Sequence, residues 1–237
     1  MALAVKKWQN YFKDLIMNIK DIKLVIFDMD GLLLETEKLY MDLFCKTMDE
    51  LGYKADKELY LPCVGVGSAN GRAYLKSKLG QDFPAERHEG LMFKRAYDYV
   101  IEKGVDHRPG VSELLDLLDS LNINKGIASS NDKEFVLHAL KNSNLINRFS
   151  VINTAQDVKK TKPSPDLFLK TAKDFGVPAS QTLVLEDSEN GVLAANAAQM
   201  RVFMIPDIKM PSPEIEKKAT AVFNSLHDVV DVFKRNF

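Results

Sequence analysis

Two hydrophobic rhythms alternate along the chain. The first is a short unbroken apolar run, as in Lys23-Leu24-Val25-Ile26-Phe27, which stops at Asp28. Its length and continuity predict a strand buried on both faces. The same rhythm predicts strands over 125–128, near 149–153, over 182–185 and 201–205, and an edge strand over 219–223. The second rhythm returns every three or four positions and predicts helices. Leu39, Leu43, Phe44, Met48 and Leu51 mark one over 38–51, and Leu114, Leu115, Leu117 and Leu118 mark another over 111–121. Further helices are expected over 69–79, 85–102, from about 132, and over 165–175, 191–198 and 225–237. Pro163 and Pro165 stand near the start of the 165–175 helix.

From Pro109-Gly110 onward strand and helix alternate, which implies a parallel sheet with helices on both faces. The stretch 56–106 differs, with helical patches and no buried strand. The expected fold class is therefore α/β: a Rossmann-like parallel sheet core with helices on both faces and a helical insert after the first strand. Such an insert sits above the C-terminal ends of the strands, where open α/β sheets bind ligands. Ahead of the first strand, Val5, Trp8, Phe12, Leu15, Ile16 and Ile19 fall at helical spacing. Residues 1–21 are read as an N-terminal helical extension, either docked on the body or an added stretch ahead of Met17. An interfacial helix is the weaker alternative.

Composition narrows the function classes. Hydrophobic residues make up 46% and charged residues 27% of 237, enough apolar material for a core and too much for disorder. Lys plus Arg is 32 against 33 for Asp plus Glu, so the basic footprint of a nucleic-acid binder is missing. No run approaches the roughly 20 apolar residues of a membrane span. Lys13, Asp14 and Lys20 interrupt the N-terminus, which does not read as a signal peptide. Cys45 and Cys63 make no disulfide framework and no zinc spacing. A cytoplasmic protein without nucleic-acid or membrane partners is expected, and a monomer is the default.

Polar groups then collect at the strand ends. The first strand ends in Asp28-Met29-Asp30-Gly31, the second in Ser129-Ser130-Asn131, the fourth in Glu186-Asp187, and Lys162 lies between the last two. Singly, each is explained as a turn residue, helix cap or solvated lysine. On adjacent parallel strands they meet at one sheet edge. Asp28, Asp30, Glu186 and Asp187 then crowd together and repel, which a divalent cation relieves, and oxygen ligands favour Mg²⁺. This suits phosphoryl transfer: a carboxylate attacks phosphorus, and a cation, Lys162 and hydrogen-bond donors near Ser129 neutralise the phosphate. A second carboxyl two residues along an extended backbone, Asp30, shares the site and serves as acid and base.

At these residues the sequence resembles the haloacid dehalogenase superfamily of phosphatases and phosphomutases. Asp28-Met29-Asp30-Gly31 through Glu37 looks like the first signature, Ala128-Ser129-Ser130 the second, Lys162-Pro163 the third and Glu186-Asp187 the fourth. The branch resembled holds β-phosphoglucomutase, sugar-phosphate phosphatases and pseudouridine-5′-phosphatase. The resemblance implies a nucleophile at Asp28 and a general acid/base at Asp30. It implies phosphate binding by Ser129, Ser130 and Lys162, and Mg²⁺ held at Asp28, Asp30, Glu186 and Asp187. It also implies a helical cap over 36–107 inserted into a core of 22–35 and 108–237. Gly67, Ser68, Asn70 and Arg72 in the cap, with Asn131, are the candidate substrate contacts. The expected substrate is a small phosphorylated metabolite, hydrolysed through an aspartyl phosphate. A hexose phosphate mutase is the alternative, but Tyr40 stands where the mutase carries a hinge histidine. A receiver-type signalling domain is the rival from another class; it expects about half this length, no cap and no Asp30. One departure concerns folding: the family helix matching 194–198 usually ends in Gly, and Gln199 stands there.

Overall fold

The computed structural model of the protein describes residues 19–237. The expected extension over 1–21 lies, but for its last three residues, outside them. Strand β1, Leu24–Phe27, is followed by helices α1 (Thr36–Glu50), α2 (Lys57–Tyr60), α3 (Ser68–Leu79), α4 (Ala85–Lys103) and α5 (Val111–Ser120). Then come β2 (Asn124–Ala128), α6 (Lys133–Asn142), β3 (Val151–Asn153), α7 (Asp166–Phe175) and β4 (Thr182–Glu186). The chain ends with α8 (Glu189–Ala197), β5 (Arg201–Met204), α9 (Pro213–Lys218), β6 (Ala221–Val222) and α10 (Leu226–Lys234). The six strands form one parallel sheet in the order β3-β2-β1-β4-β5-β6. β1 and β4 sit at its centre, so the loops after them emerge side by side.

Every residue of β1 is buried, as its unbroken apolar run requires. Val25 and Phe27 point to one face, where α5, α6 and α10 contribute Leu114, Leu140 and Phe233. Leu24 and Ile26 point to the other, against Phe168 of α7 and Val192 of α8. The insert between β1 and α5 has an apolar cluster of its own, with Phe44, Met48, Tyr60, Leu75 and Phe83. It leaves and rejoins the sheet layer at one point. Glu35 donates to the Asp106 carbonyl at 3.0 Å, Arg108 donates to the Leu33 carbonyl at 2.9 Å, and Leu34 bridges His107 antiparallel.

Differences from the sequence expectation are confined to ends and short pieces. α8 begins at Glu189, two residues before the expected start, because the Ser188 hydroxyl caps it by accepting from Gly191 N at 3.1 Å. The edge strand shrinks to Ala221–Val222. The short helices α2 and α9 were not anticipated; four and six residues carry too little periodicity to read.

Candidate active site

Asp28 is the first residue past β1, and its N–H still bonds across the sheet to the Leu185 carbonyl at 3.0 Å. The chain then folds back sharply. Leu33 and Leu34 donate to the Met29 carbonyl at 2.9 and 3.1 Å, and Gly31 donates to Leu34 at 3.0 Å. Gly31 has φ +70°, and a Cβ there would collide with the Asp187 carboxylate. Glycine thus opens the turn that aims Asp30 inward and leaves room for Asp187. The Asp30 Oδ2 accepts from the Asn131 amide at 2.7 Å, while Oδ1 is buried with no hydrogen-bond partner.

Ser129 follows β2, is 1% exposed, and continues the sheet by donating its N–H to the Asn153 carbonyl at 3.0 Å. Its hydroxyl accepts from Asn131 N at 3.2 Å. Ser130 and Asn131 also face the cavity. Lys162 comes in from the loop before α7, its ammonium 5.0 Å above the centre of the Phe168 ring. It pairs with Asp28 and, at 2.6 Å, with Glu186.

Glu186 is fully buried. One oxygen meets Lys162, and the other accepts from the N–H and hydroxyl of Ser188, both at 2.9 Å. A Cβ at Gly191 would overlap this carboxylate, so α8 can approach it only with glycine there.

Carboxylate oxygens of Asp28, Glu186 and Asp187 lie within 4.8 Å of one another. Burial pushes Asp28 above the ordinary carboxylate range; Lys162 pulls it back, while Glu186 and Asp30 add to the rise. Burial raises Asp187 likewise, reinforced by Glu186 and Asp28. Asp30 is pushed up to about 6 by burial, against Thr36, Lys162 and Asn131. Burial alone would lower Lys162, but Asp28 and Glu186 reverse that and keep it charged. The site is therefore short of positive charge, built wholly of oxygen donors, and holds an orphaned buried carboxylate oxygen. Those features fit a hard divalent cation. Glu186, with both oxygens engaged, fits a place beside that cation better than a ligand position.

The cavity above Asp28 holds about 450 Å³, walled by the strand-end loops below and the insert above. Of the insert residues expected there, Gly67, Ser68 and Arg72 line it. Asn70 does not: it is exposed and donates to the Val66 carbonyl at 3.0 Å. Arg72 is engaged, with Nη1 2.5 Å from Glu89 Oε2. Tyr40 lines the cavity close to Asp30 and Asn131, and burial raises its phenol well above 10. Three lining residues, Glu37, Tyr60 and Glu89, were not singled out from the sequence. Glu37 lay inside the first signature and seven residues past Asp30, a usable signal. The Glu89–Arg72 pairing joins two helices and leaves no sequence trace.

Among known proteins, residues 25–205 match the family model described as haloacid dehalogenase-like hydrolase. A putative phosphatase, YhcW of Bacillus subtilis, is 35% identical over 78% of this chain and 84% of its own. A probable pseudouridine-5′-phosphatase of Drosophila melanogaster is 33% identical over 86% of this chain and 89% of its own. Among solved structures, CbbY from Rhodobacter sphaeroides in complex with phosphate superposes with a TM-score of 0.72. That structure is 25% identical and covers 88% of this chain and 96% of its own.

Proposed function

Since the chain belongs to the haloacid dehalogenase-like hydrolases and is a phosphatase, we propose that it hydrolyses a small phosphorylated metabolite with Mg²⁺ through an aspartyl phosphate at Asp28. The observation that carries this is the pairing at the strand ends. Lys162 holds Asp28 beside the cavity, and Asp30 presents an unpartnered buried oxygen to the same space. Residues 36–107 act as the cap that covers it.

Asp28 attacks phosphorus as its carboxylate, forming an Asp28 Oδ–P bond as the ester P–O bond breaks. Asp30 gives its proton to the departing alcohol oxygen. Its raised pKa, about 6, keeps part of the population protonated near neutrality. In the second half, Asp30 takes a proton from water as the water oxygen bonds phosphorus and Asp28 is released. Lys162 keeps Asp28 oriented and supplies fixed positive charge, anchored by Glu186. Ser129 and Ser130, with the amides of the loop after β2, would hold the phosphoryl oxygens. The cation would be held by Asp28, the Asp30 backbone carbonyl and Asp187, with Glu186 beside it, and would neutralise the phosphate facing these carboxylates.

Tyr40 favours release to water over return to a second hydroxyl. A buried phenol with a raised pKa offers no base at neutral pH. The test is phosphate release across a metabolite panel with Mg²⁺. Asp28→Asn is expected to lower kcat by about a thousandfold or more, and a chelator to abolish turnover. Full activity in Asp28→Asn, or indifference to the chelator, overturns the mechanism.

A further inference from the structure

Asn131 lies in the short loop between β2 and α6, and its backbone is pinned from two sides. Its N–H donates to the Ser129 hydroxyl at 3.2 Å, and its carbonyl accepts from Ala155 N at 3.1 Å. The next residue, Asp132, caps α6 by accepting from Glu134 N at 2.9 Å. The loop therefore gives the Asn131 side chain a fixed point of departure. From there its amide donates to Asp30 Oδ2 at 2.7 Å. The Tyr40 phenol of the insert is within hydrogen-bonding reach of the same side chain. Tyr40 is itself packed edge-on to Phe93 of α4, with ring centres 6.2 Å apart.

This arrangement makes the two oxygens of Asp30 unequal. Oδ2 faces an amide N–H, which can only donate. A proton on Oδ2 would meet that N–H head-on, so the acid form of Asp30 carries its proton on Oδ1. Oδ1 is buried without a hydrogen-bond partner, and Asp30 lines the cavity. It is thus the oxygen left free to serve a reacting group there. When Oδ1 gives up its proton, the negative charge spreads to Oδ2 and strengthens the bond from Asn131, because hydrogen bonds to an ionised acceptor are the stronger ones. The amide therefore fixes the rotation of the carboxyl and favours the charge that it acquires in the same event.

We propose that Asn131 is the positioning residue of Asp30 and not a contact to the substrate's organic part. The proposal rests on the phosphatase reading, in which Asp30 is acid and base, and adds the atom through which both transfers run. In the first half the proton passes from Oδ1 to the departing ester oxygen. The electron pair of the broken P–O bond forms the new O–H bond, and the O–H pair of Asp30 stays on its carboxylate. In the second half the same Oδ1 takes a proton from water as the water oxygen bonds phosphorus. Oδ2 stays on Asn131 throughout. Without the amide the terminal torsion of Asp30 is free to turn over its broad, two-fold range, and Oδ1 is presented to the ester only part of the time. That loss matters most where the leaving oxygen is most basic.

The test compares wild type and Asn131→Ala, with Mg²⁺, on p-nitrophenyl phosphate and benzyl phosphate. Nitrophenolate leaves without a proton, whereas the benzyl alkoxide needs one. Benzyl phosphate also carries no polar group beyond its phosphate, so a lost contact to the organic part cannot slow it. The ratio kcat/KM compares the free enzyme and ester with the transition state in which the alcohol departs. Asn131→Ala is expected to lower it about tenfold for benzyl phosphate and by no more than about twofold for p-nitrophenyl phosphate. Asn131→Leu, which keeps the bulk and lacks the donor, is expected to do the same and stands in should the alanine variant fold poorly. An equal loss on both esters, a larger loss on p-nitrophenyl phosphate, or no loss on either overturns the proposal and leaves the phosphatase reading standing. No turnover of p-nitrophenyl phosphate by the wild type overturns the phosphatase reading instead. Where either ester is inert, crystal structures of wild type and variant decide. An Asp30 carboxyl in the same rotamer in both overturns the positioning role, and one that turns away in the variant supports it.

Discussion

Gln199 closes α8 with φ +57°, in the left-handed region where a side chain is strained. Met200 N reaches back to the Ala195 carbonyl at 3.0 Å, a helix stop that ordinarily uses glycine. Gln199→Gly is expected to stabilise the protein by about 1 kcal/mol and raise Tm by roughly 2–4 °C, with kcat unchanged. A melting scan showing no rise would remove the strain argument. Gly191 is the reverse case. Its missing Cβ leaves room for the Glu186 carboxylate that anchors Lys162. Gly191→Ala is expected to cost about 1–3 kcal/mol and to depress kcat sharply, read by denaturant titration beside an activity assay. Legibility at this scale follows sequence distance. Asp28 and Asp30 were readable because an apolar run ends on them. Glu186 was readable as a site residue, but not as one saturated by Lys162 and Ser188, because that depends on where two loops meet. Asn70 looked equivalent to Arg72 in the sequence, yet the start of α3 turns it outward to its own backbone.

At the scale of elements, the core strands and long helices follow their hydrophobic rhythm, and what escaped the sequence lacks rhythm. α9 has six residues and β6 two, and each is fixed by neighbours: the Asn196 amide donates to the Lys218 carbonyl at 2.9 Å, and on either side of β6 Thr220 donates to Val202 and Phe223 to Met204, both at 2.8 Å. α4 carries a pH dependence of its own. His88 is 2% exposed, packed edge-on to Phe44 at 4.9 Å between ring centres. Burial lowers its pKa below the ordinary 6.5, opposed by the Phe44 carbonyl. The unfolded chain therefore binds a proton as pH falls through 6.5 while the folded chain resists, so stability declines from that pH downward until the folded pKa is reached. His88→Leu is expected to flatten the fall in Tm between pH 7 and pH 5. An identical slope in both proteins would rule this group out as the cause.

Across the whole molecule, two side chains of the sheet layer grip the insert. The Asn190 amide donates to the Gly65 carbonyl at 2.6 Å, and Lys209 donates to the Val64 carbonyl at 3.1 Å. Asn190 stands two residues beyond Ser188, which itself holds Glu186, so the contact between the insert and the sheet layer is tied to the acidic loop. Replacing both Asn190 and Lys209 with Ala is expected to raise KM about fivefold to a hundredfold, at 0.5–1.5 kcal/mol for each bond. Amide exchange over 61–67 should quicken in parallel; unchanged exchange would show that these bonds do not hold the loop.

The strand-like crossing at Leu34 and His107 makes the insert a parenthesis in the chain. Glu35 and Arg108 stand against each other's strand, and Arg108 is fastened to the layer below through Asp207 and the Pro206 carbonyl. The two ends are pinned to each other and to the sheet layer by bonds that involve none of the helices between them. The strand-end carboxylates and the wall opposite them are thus carried by separate stretches of chain that face each other across one cavity.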